Sequence, residues 1–230
     1  SAPELLQDEE RELPNGGNGL VTYSPIGVVY GIQPWNFPAY QVIRYAVASL
    51  MAGNGVLLKH AENVTGSALL LEKLFQKAGG AALAVEADVT KRGDIKNLVQ
   101  KTNETFGPCD VLVNNAGIMP LSYMKNMHVE EWLKMVDVNV NGVLHCLAET
   151  LPDMVERKKG HIVNISSVAG REVMPGGAVY SGTKFAVRAI SDGLRQELAP
   201  SHNIRVTCIE PGAVDTELTN TITDKELVED

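Results

Sequence analysis

The sequence contains few cysteines, and they follow no disulfide pattern. Three occur among its 230 residues, Cys109, Cys146 and Cys208. Because disulfide frameworks use an even number of cysteines, this count argues against one and indicates a reducing compartment. We therefore predict a cytoplasmic protein.

The sequence also lacks an excess of positive charge, a long apolar run and a secretory leader. Its 20 Lys and Arg residues against 28 Asp and Glu residues give a net charge of −8, so phosphate-rich partners such as nucleic acid or an anionic membrane are disfavoured. The first residues, SAPELLQDEERELP, have neither a basic start nor an apolar segment, which predicts no signal peptide. A membrane-spanning helix needs about 20 apolar residues. The longest apolar stretch, residues 42–58, is interrupted by Arg44, Gly53, Asn54 and Gly55.

Metal-ligand spacing is absent as well. His128, His145, His161 and His202 are scattered along the chain and read as surface or core residues. We therefore predict no metal site.

Short β-rich runs alternate with helical patterns from residue 25 onwards. Continuous apolar runs between helices are typical of parallel strands that are buried on both faces. Six such units predict a single Rossmann-like α/β domain over residues 25–230, a doubly wound parallel sheet in three layers with strand order 3-2-1-4-5-6, preceded by a loosely held acidic tail at residues 1–24. The predicted strands are residues 27–30, 55–59, 82–86, 110–113, 161–165 and 204–209, and the predicted helices lie near residues 38–52, 65–78, 91–106, 129–157 and 179–199.

Several motifs follow one another in the last two thirds of the chain. NNAG at residues 114–117 follows a predicted strand, and Asn139 lies in DVNVNG at residues 137–142. Ser167 ends NISS, and thirteen residues later Tyr180 and Lys184 bound the segment YSGTK. With the Pro-Gly pair at residues 211–212, this series over residues 80–220 resembles the short-chain dehydrogenase/reductase family. The resemblance implies an NAD or NADP cofactor and hydride transfer between the nicotinamide and a small alcohol or ketone.

The spacing of Tyr180 and Lys184 has a chemical consequence of its own. Four residues apart on a predicted helix, the two side chains face the same side. A phenol with a pKa of about 10 is a poor base at neutral pH, and a nearby cation lowers that pKa. We expect such a lowering to let Tyr180 exchange a proton with the substrate. Ser167, at the carboxyl edge of the sheet, is placed to donate to a carbonyl oxygen as negative charge develops there.

The family resemblance adds roles that the spacing does not give. It implies that Lys184 also holds the nicotinamide ribose and that Asn139 anchors a water that relays protons to Lys184. Each residue taken singly has a structural alternative: a surface Tyr-Lys pair, a strand-end cap at Ser167, an Asn139 that satisfies buried backbone groups, or a tight strand exit at residues 115–117. Their joint occurrence favours a catalytic set of Asn139, Ser167, Tyr180 and Lys184.

The resemblance also implies a set of cofactor contacts. Two residues would lie at the adenine, three would follow the fourth strand, and the remainder would surround the nicotinamide half. In that order they are Asp88 and Val89; Asn115, Ala116 and Gly117; and Tyr180, Lys184, Pro211, Gly212 and Thr216.

The first third of the chain does not carry the glycine-rich turn of that family. The first strand leads instead into PWNFP at residues 34–38, followed by LMAGN at residues 50–54 and LKHAE at residues 58–62. These segments resemble aldehyde dehydrogenases, especially those acting on succinate semialdehyde, over residues 3–79. The sequence therefore predicts a chimera, with an aldehyde-dehydrogenase-like block at residues 25–79, a short-chain-dehydrogenase-like block at residues 80–230, and a junction near residues 79–80.

The exchange of blocks affects the expected cofactor site. In register, Gly31 keeps the first glycine of the missing turn, but Trp35 and Phe37 occupy the other two positions, so we expect weaker cofactor binding. Lys59 and Glu62 match the residues that bind the adenosine ribose in aldehyde dehydrogenases, and an exposed charged loop is the alternative. A glutamate favours NAD whereas a lysine tolerates NADP, so the choice between the two stays open.

The end of the sequence limits the expected substrate site. After Thr216 the family continues to a seventh strand, which we expect to be missing here. Two functions stay in view: an NAD(P)-dependent oxidoreductase acting on a small alcohol or carbonyl substrate, and a folded scaffold with impaired cofactor binding and little activity. A homo-oligomer is compatible with either.

Overall fold

The computed structural model describes residues 7–12, 18–22, 28–32, 43, 49, 55–60, 65–77, 81–212 and 222–228. Two short strands come first, β1 (Glu9–Glu12) and β2 (Asn18–Val21). Six further strands lie in one sheet. They are β3 (Val28–Ile32), β4 (Gly55–His60), β5 (Ala82–Glu86), β6 (Val111–Asn114), β7 (Gly160–Ile165) and β8 (Ile204–Ile209).

The strand order of this sheet is β5-β4-β3-β6-β7-β8, and every neighbouring pair is parallel. Numbered from the first strand of the sheet, this is the order 3-2-1-4-5-6, so the predicted doubly wound fold is confirmed. The order reverses between β3 and β6, and right-handed crossovers on either side of that point place helices on both faces.

The helices connect the strands much as the sequence predicts. They are α1 (Thr65–Lys77), α2 (Arg92–Phe106), α3 (Val129–Val136), α4 (Gly142–Arg157), α5 (Ala178–His202) and α6 (Lys225–Val228). The predicted helix at residues 129–157 is interrupted by a π-helical turn, Asp137–Asn141, which joins α3 to α4. The predicted helix near residues 38–52 falls largely outside the described residues, of which Ile43 and Ser49 are helical.

The core lies between the sheet and the faces of α2, α4 and α5. Leu112 of β6 and Ile162 of β7 are fully buried, as expected for central strands covered on both sides. Helix α2 contributes Ile95 and Leu98, whose spacing places them on one face. Their burial fixes the strands whose ends carry the candidate site.

The first residues differ from the expectation of a loosely held tail. β1 and β2 pair antiparallel, with Glu9 opposite Val21 and Glu12 opposite Asn18. This pair is separate from the six-stranded sheet.

No helix in the described part of the chain combines the length and the apolar character that crossing a bilayer requires.

Candidate active site

The candidate active site lies where three neighbouring strands end. β6 ends at Asn114, β7 at Ile165 and β8 at Ile209, and their parallel register brings these ends to one edge of the sheet. In doubly wound sheets, ligands bind at the carboxyl edge beside the point where the strand order reverses. That point lies between β3 and β6.

Tyr180 and Lys184 lie one turn apart near the start of α5. Both are buried, with 8% of Tyr180 and 7% of Lys184 exposed. The Lys184 Nζ donates a hydrogen bond of 3.0 Å to the carbonyl oxygen of Ile165, the last residue of β7. The same nitrogen lies 5.7 Å from the centre of the Tyr180 ring. Helix α5 therefore holds a phenol and an ammonium together at the strand ends.

The pKa values of this pair require a correction to the sequence-based expectation. Burial raises the pKa of Tyr180, and a hydrogen bond with the Ser167 side chain opposes that rise without cancelling it. The predicted lowering of this pKa is therefore wrong for this arrangement, because burial disfavours the phenolate and the Lys184 ammonium is directed to Ile165. Burial also lowers the pKa of Lys184 to about 8, although Cys208 acts in the opposite direction.

Ser167 follows β7 by two residues and precedes a short 3-10 turn, Val168–Gly170. Its Oγ accepts a hydrogen bond of 3.1 Å from the Ala169 N–H, so the capping role considered from the sequence is present. The hydroxyl also donates to the Pro211 carbonyl oxygen at 3.5 Å, which is a long and weak contact. Because the cap uses only an oxygen lone pair, the Ser167 proton is available to a better acceptor.

Asn139 lies in the middle of the π-helical turn and is 2% exposed. Its Oδ1 accepts a hydrogen bond of 2.8 Å from the Ile118 N–H, and its Nδ2 donates to the Ile118 carbonyl oxygen at 2.9 Å. The same Nδ2 donates to the Thr183 hydroxyl at 3.1 Å. Asn139 thus satisfies buried backbone groups, but those of the loop after β6 rather than those of its own helix.

Gly117 borders the space between Asn139 and Lys184. A Cβ atom built on Gly117 would lie 3.4 Å from the Asn139 Oδ1 and 3.7 Å from the Lys184 Nζ. A glycine therefore leaves open a volume that both side chains face. The two residues before it are half-buried, and Ala116 packs against the core.

Asp88 and Val89 follow β5, on the other side of the reversal point. The Asp88 Oδ1 accepts hydrogen bonds from the Thr90 N–H at 2.9 Å and from the Thr90 hydroxyl at 2.8 Å. Burial raises the pKa of Asp88, but Thr90 and Lys91 outweigh burial and the net shift is downward. Val89 is buried against Gly142, where a Cβ would come within 2.8 Å of a Val89 methyl. Asp88 is thus an ionised, half-exposed group in a fixed turn.

The remaining predicted cofactor contacts are less fully described. Gly31 lies within β3, paired with Leu58 and Val113, and Lys59 lies within β4, as the predicted strand at residues 55–59 has it. Pro211 follows β8, and its carbonyl oxygen accepts a hydrogen bond of 3.0 Å from the Val168 N–H. Gly212 is exposed. Trp35, Phe37, Glu62, Thr216 and the junction near residues 79–80 lie outside the described residues.

Sequence reasoning missed two polar contributors to this region. Thr183, within the segment YSGTK, links Asn139 to α5. The Asn114 Nδ2 donates a hydrogen bond of 2.8 Å to the Asn164 Oδ1, which ties the ends of β6 and β7 together. An asparagine near the end of an apolar strand was the available signal for Asn164, because a buried amide needs a partner.

The sequence also gave no sign of a strap formed by residues 222–228. The Asp224 carboxylate, 3% exposed, accepts hydrogen bonds from the Tyr123 N–H at 2.9 Å and from the Asn126 Nδ2 at 3.0 Å. Leu227 packs on Gly176, where a Cβ would come within 2.6 Å of a leucine methyl. The strap therefore joins the loop after β6 to the loop before Tyr180.

Among the residues that the structure describes, no group of three or more His, Cys, Asp or Glu side chains could hold a metal ion. His145 contacts the Val89 carbonyl oxygen, and His161 contacts the Thr207 hydroxyl.

Comparison with known proteins identifies the family. The sequence pattern of the short chain dehydrogenase family matches residues 41–227. The chain belongs to the short-chain dehydrogenase family. This short-chain dehydrogenase is 47% identical, over 186 residues, to an uncharacterized oxidoreductase of Staphylococcus saprophyticus, and the match spans 79% of the chain and 74% of the relative. The chain is therefore an oxidoreductase of the short-chain dehydrogenase type.

Solved structures show the same fold. The closed form of serine dehydrogenase, complexed with NADP+, superposes with a TM-score of 0.73 at 30% identity, over 85% of this chain and 76% of that one. A gluconate 5-dehydrogenase from Burkholderia cenocepacia, in complex with NADP and tartrate, gives a TM-score of 0.73 at 25% identity, over 90% and 76% of the two chains.

The family match also tests the predicted chimera in the first third of this short-chain dehydrogenase. The family match begins at residue 41 and continues through the predicted junction near residues 79–80. It supports the short-chain dehydrogenase resemblance and gives no support to an aldehyde dehydrogenase segment.

Proposed function

We propose that this protein transfers hydride between NAD or NADP and a small alcohol or ketone, with Tyr180 as the proton donor and acceptor. The observation that carries the proposal is the pairing of Tyr180 with Lys184, whose ammonium lies 5.7 Å from the Tyr180 ring, with Ser167 near enough to oppose the rise that burial causes in the Tyr180 pKa. Nicotinamide complexes of two similar structures support the cofactor class.

The donor chemistry beside Tyr180 fits a nicotinamide cofactor. An ammonium has three N–H donors, and the Ile165 carbonyl oxygen takes one of those of Lys184. The others are available to ribose hydroxyls, and Gly117 leaves space beside them. On the adenine side, Asp88 and Val89 would supply contacts after β5, while Asn115 and Ala116 would line the path between the two halves. Pro211, Gly212 and Thr216 would lie on the nicotinamide side, and Gly31, Lys59 and Glu62 at the phosphate and ribose.

The protein groups then divide the chemistry among them. Bound nicotinamide supplies or accepts the hydride. In carbonyl reduction, the Ser167 hydroxyl donates a hydrogen bond to the substrate oxygen, and the Tyr180 hydroxyl gives its proton to that oxygen as the C–H bond forms. The raised pKa of Tyr180 keeps the phenol protonated at neutral pH, which suits donation. In alcohol oxidation, the Tyr180 hydroxyl first loses its proton to solvent, and the resulting phenolate accepts the proton of the alcohol oxygen.

The Lys184 ammonium stabilises the transient phenolate by charge, and Asn139 fixes the backbone of the loop after β6 beside it. A water held by Asn139 and Lys184 would carry protons onward. These roles follow the positions of the two side chains on either side of Gly117.

The test is a pair of tyrosine variants assayed with a panel of small ketones and secondary alcohols. Tyr180→Phe removes the proton donor, and we expect turnover to fall by roughly a hundredfold or more with the fold intact. Tyr123→Phe is the matched control, since that tyrosine lies in a loop and its backbone, rather than its hydroxyl, contacts Asp224. Unchanged turnover in Tyr180→Phe would exclude the mechanism.

Calorimetric titration with NADH and NADPH tests the cofactor. Micromolar binding of either supports the enzyme and decides between the two. Absence of binding at millimolar cofactor would favour the alternative function, a folded scaffold with impaired cofactor binding.

We also propose an aldehyde dehydrogenase origin for the part of residues 3–79 that precedes the start of the family match at residue 41, within a single domain over residues 25–230. Support comes from PWNFP at residues 34–38 and from a family match that leaves the first 40 residues uncovered. Long-read sequencing of the source gene tests it. One uninterrupted reading frame across codons 79 and 80 is expected, and separate loci for the two halves would contradict it.

A homo-oligomer and a cytoplasmic location complete the proposal. The continuous α3-π-α4 segment exposes Leu133 and Leu144, and burial of these apolar side chains between two copies of the chain would support self-association. The three free cysteines support a reducing compartment. Light scattering after gel filtration measures the assembly, and fractionation of the source cells measures the location.

A further inference from the structure

Thr183 lies between the two proposed active-site residues of α5 and makes contacts to both sides of the site. It is 2% exposed. Its hydroxyl donates a hydrogen bond of 2.7 Å to the Tyr180 carbonyl oxygen and accepts one of 3.1 Å from the Asn139 Nδ2. A single hydroxyl therefore joins the backbone at Tyr180 to the amide of Asn139.

The Ile118 N–H and carbonyl oxygen set how the Asn139 amide is turned, and the Thr183 hydroxyl requires the same orientation. A hydroxyl has one proton, and the Tyr180 carbonyl oxygen takes it, so only a lone pair of Thr183 faces Asn139. That lone pair requires the Nδ2 end of the amide. The Oδ1 end is then left to the Ile118 N–H, at 2.8 Å. A turned amide would set the Asn139 oxygen against two acceptors and lose all three hydrogen bonds.

We propose that Thr183 is a positioning residue, whose hydroxyl holds the Asn139 amide in the orientation that the Ile118 backbone requires and thereby helps to hold residues 117–118 beside Lys184 and Tyr180. The inference rests on the function proposed above. It assigns Thr183 no contact with substrate or cofactor. Thr183 affects the site through Asn139, whose side chain forms hydrogen bonds with both the N–H and the carbonyl oxygen of Ile118.

Two other buried threonines show what distinguishes Thr183. The Thr102 hydroxyl donates to the Leu98 carbonyl oxygen and the Thr150 hydroxyl donates to the Cys146 carbonyl oxygen, each at 2.8 Å. Both are 2% exposed, as Thr183 is. Each bonds within its own helix, the ordinary behaviour of a helical threonine. Only Thr183, of these three, also accepts a bond from another segment, so Thr150 provides a matched control.

Amide hydrogen exchange of Ile118, without added cofactor, tests the link directly. Thr183→Val keeps the shape of the side chain and removes the hydroxyl. We expect the Ile118 amide to exchange about tenfold faster, because one buried hydrogen bond is lost and the Asn139 amide is released. Thr150→Val should leave Ile118 exchange unchanged. Equal exchange in the two variants would overturn the proposal.

Steady-state kinetics supply a readout that a purely structural role would not move. In Thr183→Val we expect kcat to fall by about tenfold while KM for the substrate stays within about twofold, because positioning affects the transition state more than binding. The pH profile of kcat should also shift, and Thr183→Ser should restore both. A kcat and a pH profile equal to those of Thr150→Val would overturn the inference.

Different results would contradict the proposed mechanism at Tyr180 and the proposed positioning role of Thr183. An active Tyr180→Phe variant removes the proposed mechanism whatever Ile118 does. An inactive Tyr180→Phe variant together with a Thr183→Val variant of normal kinetics and normal Ile118 exchange removes the positioning role alone.

Discussion

Lys184 holds its ammonium 5.7 Å from the centre of the Tyr180 ring while donating a 3.0 Å hydrogen bond to the end of β7. The sequence places these two residues one turn apart, but it says nothing of how deeply they are buried. Burial moves the two pKa values in opposite directions, that of Tyr180 upward and that of Lys184 downward to about 8. At neutral pH Tyr180 therefore stays protonated, while Lys184, with a pKa of about 8, still carries its charge for most of the time, and the proposed proton transfer uses both states.

The buried lysine should make stability depend on pH. Its pKa falls from 10.5 in the unfolded chain to about 8 in the folded protein, so the unfolded state binds more protons between those values and stability rises with pH across them. The difference corresponds to about 3 kcal/mol, a penalty that is fully present below pH 8. Lys184→Met removes this penalty but leaves the Ile165 carbonyl oxygen without a partner. We expect a net gain of about 2 kcal/mol at pH 7 and loss of activity.

Urea denaturation at several pH values from 7 to 10.5 measures this effect. The parent protein should gain stability with rising pH, and Lys184→Met should show a flatter profile. A variant that is less stable than the parent at pH 7 would contradict the prediction.

Gly170 should resist substitution because it lies against the helix that carries the site. A Cβ there would come within 2.7 Å of the Ser166 Oγ and 2.9 Å of the Lys184 carbonyl oxygen. Gly170→Ala must push α5 away, and we expect it to lower the free energy of unfolding by roughly 2 kcal/mol. Gly193 lies on α5 itself, and a Cβ built there would have no neighbouring atom within 4 Å. Gly193→Ala should therefore raise the free energy of unfolding by about 0.5–1 kcal/mol. Chemical denaturation compares them, and similar effects of the two changes would refute the packing argument.

Asp224 should hold the strap only while it is ionised. The Asn126 side chain lowers its pKa most, burial acts against this, and the Tyr123 N–H adds to the lowering. A lowered folded pKa means that the contribution to stability is present above the unfolded value of 3.8 and is lost as pH falls through the folded pKa. Asp224→Asn should therefore weaken the strap at neutral pH and lose its difference from the parent in acid.

The NMR chemical shift of the Tyr123 amide proton, followed as the pH is lowered, measures the titration of Asp224. The parent should show a midpoint below 3.8, and Asp224→Asn should show none. Asp192→Asn, which changes an exposed aspartate paired with Arg195, is the control and should leave the Tyr123 titration in place. A parent midpoint at or above 3.8 would count against the strap.

The strands were predictable because each is a short apolar run between helical patterns, and burial on both faces demands that pattern. β5 and β8 have the bounds that the sequence predicts, and the other sheet strands differ by one to two residues at their ends. The π-helical turn was not predictable, since residues 129–157 keep one helical pattern throughout. The turn places Asn139 where it bonds to Ile118 on a separate loop, a contact between segments that are distant in the sequence.

The strap was not predictable from the sequence either, because its contacts join residues that are far apart along the chain. Asp224 accepts a hydrogen bond from Tyr123, which lies 101 residues earlier, and no local sequence pattern near either residue predicts the contact. Thr183 could be seen as part of YSGTK, but its partner Asn139 lies 44 residues earlier. Contacts of this length depend on how the helices pack on the sheet.

By itself the sequence determined the parallel sheet, its strand order and the residue types at its carboxyl edge, because apolar periodicity and motif spacing are local properties of the chain. The tertiary structure decided the direction of the pKa shifts at Tyr180 and Lys184 and the hydrogen bond between the Asn139 amide and the Thr183 hydroxyl. It also decided which loops the strap joins. Those properties depend on burial and on hydrogen bonds between distant segments, and both arise only when the helices close over the strand ends.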